Sequence, residues 1–256
     1  MIPNTSTRQV QSVRTAFRIV GILQDMDGVT MNELASQLDL AKSTVHNYLG
    51  TLQSLGYAVE HEGTYRLGLR FLTHGMAAKS GLGLRDTVGH ILPQIASDLG
   101  HSTWWIVEEL GRGIFAEKAT PESGQPTYGR IGKRSYLHTH APGKAMLAEL
   151  PGEYVEELVA YHGLPVYTKE TITDPEALQS ELADVREQGY AVSDGEAALG
   201  IRSVGVAFEG PYGYTHGLGI FGYSHDFGTN AEHDIPGRLQ AAVDTIEQSG
   251  LEEVTR

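Results

Sequence analysis

The first quarter of the chain alternates apolar and polar positions with the period of short α-helices. From about Thr7 to Asp25 the apolar residues recur at helical spacing, which predicts an amphipathic first helix. Its apolar stripe comprises Val10, Val13, Phe17 and Val20, widened by Ala16, Ile19 and Leu23. After a break at Asp27-Gly28, Thr30 and Glu33 have the spacing of a capping box, which predicts a short second helix and then a turn at Asp39-Leu40.

A third helix is predicted from about Ala41 to Leu55, and its two faces differ in chemistry. One face is apolar and comprises Val45, Tyr48, Leu49, Leu52 and Leu55, whereas the other carries Ser43, Asn47, Gly50 and Ser54, with His46 at its edge. Small, hydrogen-bonding residues on the outer face suit insertion into a groove of DNA. We assign base contacts to His46 and Asn47, because an Asn side chain can pair with adenine, and phosphate contacts to Lys42, Ser43 and Thr44.

Two strand-like runs, at residues 57–60 and 64–67, flank His61-Glu62-Gly63 and predict a β-hairpin. A hairpin after such a helix is the winged form of the helix-turn-helix, so we predict that residues 1–67 bind duplex DNA. Further DNA contacts are assigned to Arg14, Arg18, Thr30, Tyr65 and Arg66. The competing interpretation is a small helical domain whose third helix merely has a solvated face.

The rest of the chain mixes helix and strand patterns. Leu84, Val88, Ile91, Ile95 and Leu99 mark a helix with a kink at Pro93. Strands are predicted at 102–107, 114–118, 128–132, 190–193, 204–208 and 218–223, and helices at 143–149, 174–188 and 235–246. The fold class that follows is α+β, with an antiparallel sheet flanked by helices.

Composition sharpens this division of the chain. The 256 residues carry a net charge of −13, yet residues 1–75 hold six basic and six acidic groups, so all the excess acid lies outside the predicted DNA-binding segment. A surface rich in carboxylates and poor in lysine suits a very salty cytoplasm, where charge repulsion is screened over a few ångströms. The sequence has no cysteine, no apolar run long enough to span a bilayer and no signal core in its polar start. We therefore expect a cytoplasmic protein without a membrane partner.

Four stretches give the chain a resemblance to the IclR family of transcriptional regulators. They are NELASQLDLAKSTVHNYLGTLQSLGYAV (32–59), YRLGLRFL (65–72), LHTHAPGKAMLAELP (137–151) and DVREQGYAVSDGEAALGIRSVGVAF (184–208). Their order and separations cover nearly the whole chain. The resemblance implies a winged helix-turn-helix at 1–67, a linker helix and hinge at 68–82, and a GAF/PAS-like α/β domain for effector binding and oligomerisation at 83–256.

The resemblance also implies partners and a binding site. The partners are palindromic operator DNA, a small-molecule effector such as an organic or sugar acid, and further copies of the chain in a homodimer or tetramer. The implied effector site comprises Tyr128, Gly132, Thr139, His140, Ala141, Asp194, Glu196, Arg202, Ser203, Gly219 and Phe221. The backbone amides from Ala141 to Gly143 are a candidate anion cradle, and Arg202 is a candidate carboxylate partner. The alternative for Asp194, Glu196 and Arg202 is a solvated loop or an internal ion pair.

Four positions depart from the family pattern. Asn47 stands where an arginine is frequent, which should change base preference, and His140 replaces a small residue or a threonine. Phe221 stands with Gly219 where small hydroxyls are common, so that it would fill part of the pocket and favour a larger or more apolar ligand.

Catalytic and metal-binding motifs are missing from the sequence. There is no G-x-S-x-G, no phosphate-binding loop and no dinucleotide-binding glycine pattern. His138 and His140 are two residues apart, a spacing that permits metal ligation, but no third ligand is linked to them. We therefore predict no metal, no cofactor and no catalysis. The alternative is a metabolite-binding protein or enzyme whose N-terminal helices only mediate dimerisation, and the polar outer face of the third helix argues against it.

Overall fold

The computed structural model describes residues 8–122, 128–227 and 231–254. The chain divides between Gly81 and Leu82 into two compact units, an N-terminal unit and a C-terminal unit. Within the described residues, no helix is both long and apolar enough to cross a membrane.

The N-terminal unit is a winged helix-turn-helix, as predicted. Its elements are α1 (Gln11–Asp25), β1 (Val29–Thr30), α2 (Met31–Leu38), α3 (Lys42–Ser54), β2 (Ala58–His61), β3 (Thr64–Leu67) and α4 (Arg70–Ser80). The predicted hairpin is formed by β2 and β3, with Glu62-Gly63 as its two-residue turn. A two-residue strand that the sequence pattern did not reveal, β1, adds to β3 and gives the order β1-β3-β2.

Local signals in the sequence account for the helix ends. The Thr30 hydroxyl accepts a hydrogen bond from the Glu33 amide, and the Glu33 carboxylate accepts one from the Thr30 amide, which completes the predicted capping box. Asp39 then adopts a left-handed conformation (φ 52°) that turns the chain from α2 into α3. These local features begin and end α2 and so determine where α3 can start.

The orientation of α1 corrects the sequence analysis. The predicted start at Thr7 lies outside the described residues, and α1 begins at Gln11. Ile19 and Leu23 face the core and Val20 packs against it, whereas the rest of the predicted central stripe is turned outward, with Val10, Val13 and Phe17 at least half exposed. The apolar residues span more of the helix than one neighbour can cover, so helical periodicity alone did not decide which side packs inward.

The C-terminal unit is a six-stranded antiparallel sheet with helices on both sides. Its strands are β4 (Ser102–Glu109), β5 (Arg112–Ala119), β6 (Arg134–Tyr136), β7 (Ala191–Asp194), β8 (Ile201–Glu209) and β9 (Thr215–Tyr223), in the order β6-β5-β4-β9-β8-β7. Its helices are α5 (Arg85–Leu99), α6 (Ala141–Glu149), α7 (Gly152–His162), α8 (Pro175–Gln188) and α9 (Ala231–Val254). The predicted class, mixed α+β, is confirmed.

One prediction for this unit was wrong in detail. Residues 128–132 are not a strand, because Gly129 (φ 97°) and Gly132 (φ 81°) take positive φ angles that an extended chain does not allow. The strand lies just beyond, at Arg134–Tyr136. The helix α7 was not predicted, and Pro93 lies inside α5, where the kink expected of it stays a prediction.

Strand alternation gives the sheet two faces with separate cores. On the α5/α9 face, β8 and β9 contribute Val204, Val206, Leu218 and Ile220 to a core with α5 and α9. On the α6 face, residues at alternate positions of the same strands, including Phe221, pack with α6, α7 and α8. Each strand therefore divides its side chains between two chemical environments.

Candidate functional site

The outer face of α3 presents the residues that were predicted to contact DNA. Lys42, Ser43, His46 and Asn47 are exposed, while Val45 and Leu49 on the other side are buried. The buried residues join the core of the N-terminal unit, so that packing of the apolar face holds the polar face in solvent.

The beginning of α3 offers backbone donors. The Ala41 carbonyl accepts hydrogen bonds from the amides of Thr44 and Val45, which are the first bonds of the helix. The amides of Lys42 and Ser43 precede those bonds and have no intrahelical acceptor. With the Lys42 ammonium beside them and no acidic residue in the first turn, these groups suit a phosphate.

The other predicted DNA contacts differ in their exposure and in the partners they already have. Arg14, Arg18 and Arg66 are exposed, and the Arg66 guanidinium reaches the Asp27 carboxylate at 3.4 Å. Thr30 is exposed but its hydroxyl already serves the capping box. The prediction for Tyr65 is corrected. This side chain is only 9% exposed and belongs to the core, because it is on the inward side of β3.

On the α6 face of the C-terminal unit, His140 organises a buried polar chain. Its ring is fully buried, and that burial lowers its pKa to about 3. The Gly143 amide donates to Nδ1 at 3.0 Å, so the neutral ring carries its proton on Nε2 and donates to the Ser135 hydroxyl at 2.7 Å. Ser135 in turn donates to the Gly113 carbonyl at 3.1 Å. His140 is therefore a neutral histidine with both ring nitrogens satisfied.

Aromatic rings surround this histidine. Phe115 lies with its ring centroid 5.5 Å from that of His140, and Phe221 lies 5.9 Å from it. Tyr128 stacks on Phe221 at 5.8 Å with an interplanar angle of 12°, and Trp104 meets the edge of Phe115 at 4.9 Å. We call these five residues, Trp104, Phe115, Tyr128, His140 and Phe221, the aromatic cluster. Only 1% of Phe221 is exposed, and its proposed place in an effector pocket stays a prediction.

Strand alternation removes two residues from the predicted effector site. Ser203 lies on the α6 face, where its hydroxyl accepts a hydrogen bond from the Ala141 amide at 3.1 Å. Arg202 is its neighbour in sequence and lies on the opposite face, over the Phe227 ring. There it forms a cross-strand ion pair with Asp194 at 3.7 Å. Of the alternatives that the sequence left open, the structure contains an ion pair for these two residues, and the Asp194 side chain is 52% exposed.

The predicted anion cradle at the start of α6 is also corrected. The Ala141 amide is bonded to Ser203, the Gly143 amide is bonded to His140, and Pro142 has no N–H. These donors are satisfied inside the protein. Gly219 has a packing role here, because a Cβ at this position would lie 2.4 Å from a Pro142 side-chain carbon.

Other predicted effector residues hold the site together. The Gly132 amide donates to the Phe115 carbonyl at 2.8 Å and anchors the 128–133 loop over the aromatic cluster. Thr139 is buried, and its hydroxyl donates to the Tyr136 carbonyl at 2.8 Å. Glu196 is buried and accepts a hydrogen bond from Lys144 at 2.8 Å, while Lys144 also donates to Glu181 at 2.6 Å.

Sequence reasoning missed Lys144, Trp104 and the two lysines next to the aromatic rings. The Lys133 ammonium lies 3.5 Å from the Tyr128 ring centroid, and that of Lys118 lies 5.1 Å from the Trp104 ring centroid. Alternation along β4 would have placed Trp104 on the same side as Ile106. Nothing local in the sequence links the lysines to the rings. No group of three metal-ligating side chains occurs in the described parts of the chain.

Comparison with known proteins covers both units. Residues 76–248 match the family model described as bacterial transcriptional regulator IclR C-terminal, and residues 12–62 match the IclR helix-turn-helix domain. A probable HTH-type transcriptional regulator ArcR from Halobacterium salinarum is 33% identical over 211 residues, which is 81% of this chain and 80% of that protein.

Solved structures give the same fold. The IclR of Thermotoga maritima superposes with a TM-score of 0.76 at 25% identity, covering 94% of this chain and 99% of that one. An IclR homologue from Microbacterium hydrocarbonoxydans, solved with 4-hydroxybenzoate, gives a TM-score of 0.77 at 21% identity over 92% of this chain and 97% of that one. The likeness to the Thermotoga maritima protein adds to the family matches. The likeness to the Microbacterium hydrocarbonoxydans protein, at 21% identity, shows only that the fold is shared.

Proposed function

The chain belongs to the IclR family of ligand-responsive transcriptional regulators, and from that premise we propose that it binds a palindromic operator through α3. The observation that carries this proposal is the exposed polar face of α3, with Lys42, Ser43, His46 and Asn47 turned away from the core. The alternative, an enzyme with dimerising N-terminal helices, is not favoured, because the matching models and the curated relative are regulators.

We propose the following domain roles. Residues 1–67 bind DNA, residues 68–82 form the linker helix and hinge, and residues 83–256 bind the effector and contribute to oligomerisation. Within the DNA-binding domain, Asn47 and His46 contact bases, and Lys42, Ser43 and Thr44 hold phosphate. Arg14, Arg18 and Arg66 are exposed on the same unit and remain proposed contacts, whereas Tyr65 is withdrawn.

The N-terminal unit also supports a homodimer. On α1, Val13 and Phe17 are 52% and 64% exposed; Leu69, just before α4, and Leu72, on α4, are 85% and 63% exposed. This many large, exposed apolar side chains indicate a surface that another protein chain covers. A second copy that covers them places two recognition helices on one operator, which explains a palindromic site.

Four points stay predictions. They are the cytoplasmic location, the adaptation to high salt, the choice between dimer and tetramer, and an organic or sugar acid as the effector. The acidic surface supports the second of these, since all of the net charge of −13 lies beyond residue 75.

Gel-shift assays with the full chain and the DNA upstream of its own gene test the proposal. We expect sequence-preferring binding, with Asn47→Ala costing about 1–3 kcal/mol at one base position and Lys42→Ala weakening all sequences alike. Gln24→Ala, an exposed change on α1, is the matched control. If Asn47→Ala lowered the affinity for every DNA sequence equally, Asn47 would not be a base contact. If the wild-type chain showed no sequence preference, the proposed function would be wrong.

A further inference from the structure

Two lysines of the C-terminal unit lie apart from the abundant carboxylates. The chain has 32 acidic residues and six lysines. Lys144 pairs with Glu181 and Glu196, and Lys169 pairs with Glu170. Lys118 and Lys133 make no ion pair with any carboxylate in the described ranges, although both are partly buried. In so acidic a protein, this separation from carboxylates leaves both ammonium groups available to an anion from outside.

Both ammonium groups lie on the aromatic cluster. Lys118 is over Trp104 at 5.1 Å, and Lys133 is 3.5 Å from the centroid of Tyr128 and 5.5 Å from that of Phe115. Since Trp104 contacts Phe115 at 4.9 Å, the two cations border one continuous set of rings. Burial lowers the pKa of both lysines, that of Lys133 to about 8, so that an anion beside them would favour their charged form.

A third donor on the cluster has no acceptor. Trp104 is fully buried, and its indole N–H has no hydrogen-bond partner in the part of the chain that the structure describes. Its Cζ2 edge, next to that N–H, lies beneath the loop that carries Gly129 and Tyr128. A buried donor without an acceptor is uncommon in proteins and indicates a place where an oxygen atom from outside can bind.

The Tyr128 ring marks the position in the cluster where a ligand ring could bind. Tyr128 is on the 128–133 loop, outside every helix and strand, and its phenol ring contacts both the Phe221 ring and the Lys133 ammonium. A free aromatic ring would find the same face of Phe221, because ring stacking requires only a π system, and the Lys133 ammonium beside it could pair with an acid group on that ring.

We propose that the effector is an aromatic carboxylate. Its ring takes the place of the Tyr128 ring against Phe221 and Phe115, and its carboxylate pairs with Lys133 and Lys118 and accepts the Trp104 N–H. This inference rests on the proposed function only in calling the ligand an effector. The binding site itself is inferred from the contacts of Lys118, Lys133 and Trp104 with the aromatic cluster. A sugar acid fits less well, because its hydroxyls need many polar partners and the wall here is made of rings.

Calorimetric titration of the full-length chain tests the ligand class. The probes are benzoate and phenylacetate, with benzyl alcohol as the uncharged ring and gluconate as the sugar acid. We expect an aromatic carboxylate to bind at least about tenfold more tightly than either comparison compound. Failure of both aromatic acids to bind, or a preference for gluconate, would overturn the inference.

Variants separate a ligand site from a packing cluster. We expect Lys133→Met to weaken the aromatic acid by about tenfold or more, while Lys169→Met, on an exposed lysine, stays within about twofold. Trp104→Phe keeps the ring but loses the N–H and should also weaken binding. Tyr128→Ala removes the competing ring and should tighten binding. If all three cluster variants weaken binding equally, Tyr128 does not occupy the ligand position.

The gel shift described above distinguishes the two proposals. Operator binding that persists while no aromatic acid binds would overturn the ligand class and leave the regulator intact. Conversely, calorimetric binding of an aromatic acid without any operator preference would support the ligand site and count against the proposed DNA contacts. Release or retention of operator DNA by the acid then connects the two sites.

Discussion

The two faces of the six-stranded sheet share the same strands but bury different chemistry. On the α5/α9 face, the middle of the sheet is largely aliphatic, with Val204, Leu218 and Ile220 fully buried or nearly so. On the α6 face, the same strands bury Ser203 and support His140 and Lys144, which are 0% and 1% exposed. The polar groups are tolerated because they are hydrogen-bonded to one another and to the backbone.

The difference teaches that adjacent residues of one strand have unrelated roles. Arg202 and Ser203 are neighbours in sequence, but only Ser203 contacts α6. A residue is assigned to the candidate site by the side of the sheet it occupies and by what covers that side. The α5/α9 face also buries a polar ring, that of His216, which stacks on Trp105 and accepts the hydrogen bond of the Trp105 indole at 3.0 Å.

Removing the buried cation of the α6 face should have the largest effect. Lys144→Met leaves the Glu196 carboxylate, only 7% exposed, without its cation. We expect a loss of about 3–5 kcal/mol in the free energy of unfolding of the C-terminal unit. Urea denaturation followed by tryptophan fluorescence measures it, because both tryptophans, Trp104 and Trp105, lie on β4 in that unit.

Two further variants show whether the loss comes from the unpaired carboxylate. The double variant Lys144→Met/Glu196→Leu should recover part of the stability, since it removes the buried charge together with its partner. Lys169→Met, on the exposed pair with Glu170, should cost less than about 1 kcal/mol. A cost of under about 1 kcal/mol for Lys144→Met itself would mean that the buried ion pair does not stabilise this face.

The fold followed largely from the sequence because its signals are local. The spacing of Thr30 and Glu33 predicted the capping box, and Asp174 caps α8 as expected, its carboxylate accepting from the Ala177 amide. What failed depended on packing partners. The outward side of α1, with Val13 and Phe17, follows from what covers the helix, and the two-residue strand β1 exists only because β3 is beside it.

The candidate site was predictable only in part. His140, Ser203 and Phe221 do lie together on the α6 face. Arg202 was misplaced because a resemblance in loop sequence does not say which way each side chain of a strand points. The contact of Lys133 with Tyr128 depends on the path of the 128–133 loop, and no periodicity or motif in the sequence encodes that path.

Acid should destabilise both faces by way of their buried histidines. Burial lowers the pKa of His140 to about 3 and that of His216 to about 4, both below the value in an unfolded chain. Between those values and about pH 6.5, the unfolded state binds more protons, so stability is complete above pH 6.5 and falls as the pH is lowered. From pH 7.5 to pH 5.5 we expect a loss of about 1.4 kcal/mol per histidine.

The same fluorescence-detected urea titration, repeated at the two pH values, measures this loss. His216→Phe removes one titrating group from the α5/α9 face and should reduce the pH-dependent part by about 1.4 kcal/mol, whatever the variant costs at pH 7.5. An unchanged pH dependence in His216→Phe would show that His216 is not buried as a neutral ring.

The smallest expected effect separates Arg202 from its neighbour. The Arg202–Asp194 pair is 3.7 Å long and partly exposed, with Asp194 52% exposed, so Arg202→Ala should cost less than about 1 kcal/mol. Ser203→Ala should cost about 1–3 kcal/mol, because it leaves the buried Ala141 amide without its acceptor. Affinity for the aromatic acid should stay within about twofold in Arg202→Ala, since that side chain lies on the opposite face of the sheet from the aromatic cluster. A clear loss of affinity in Arg202→Ala would mean that the ligand is bound from the α5/α9 face, and the division between the two faces would then no longer locate the site.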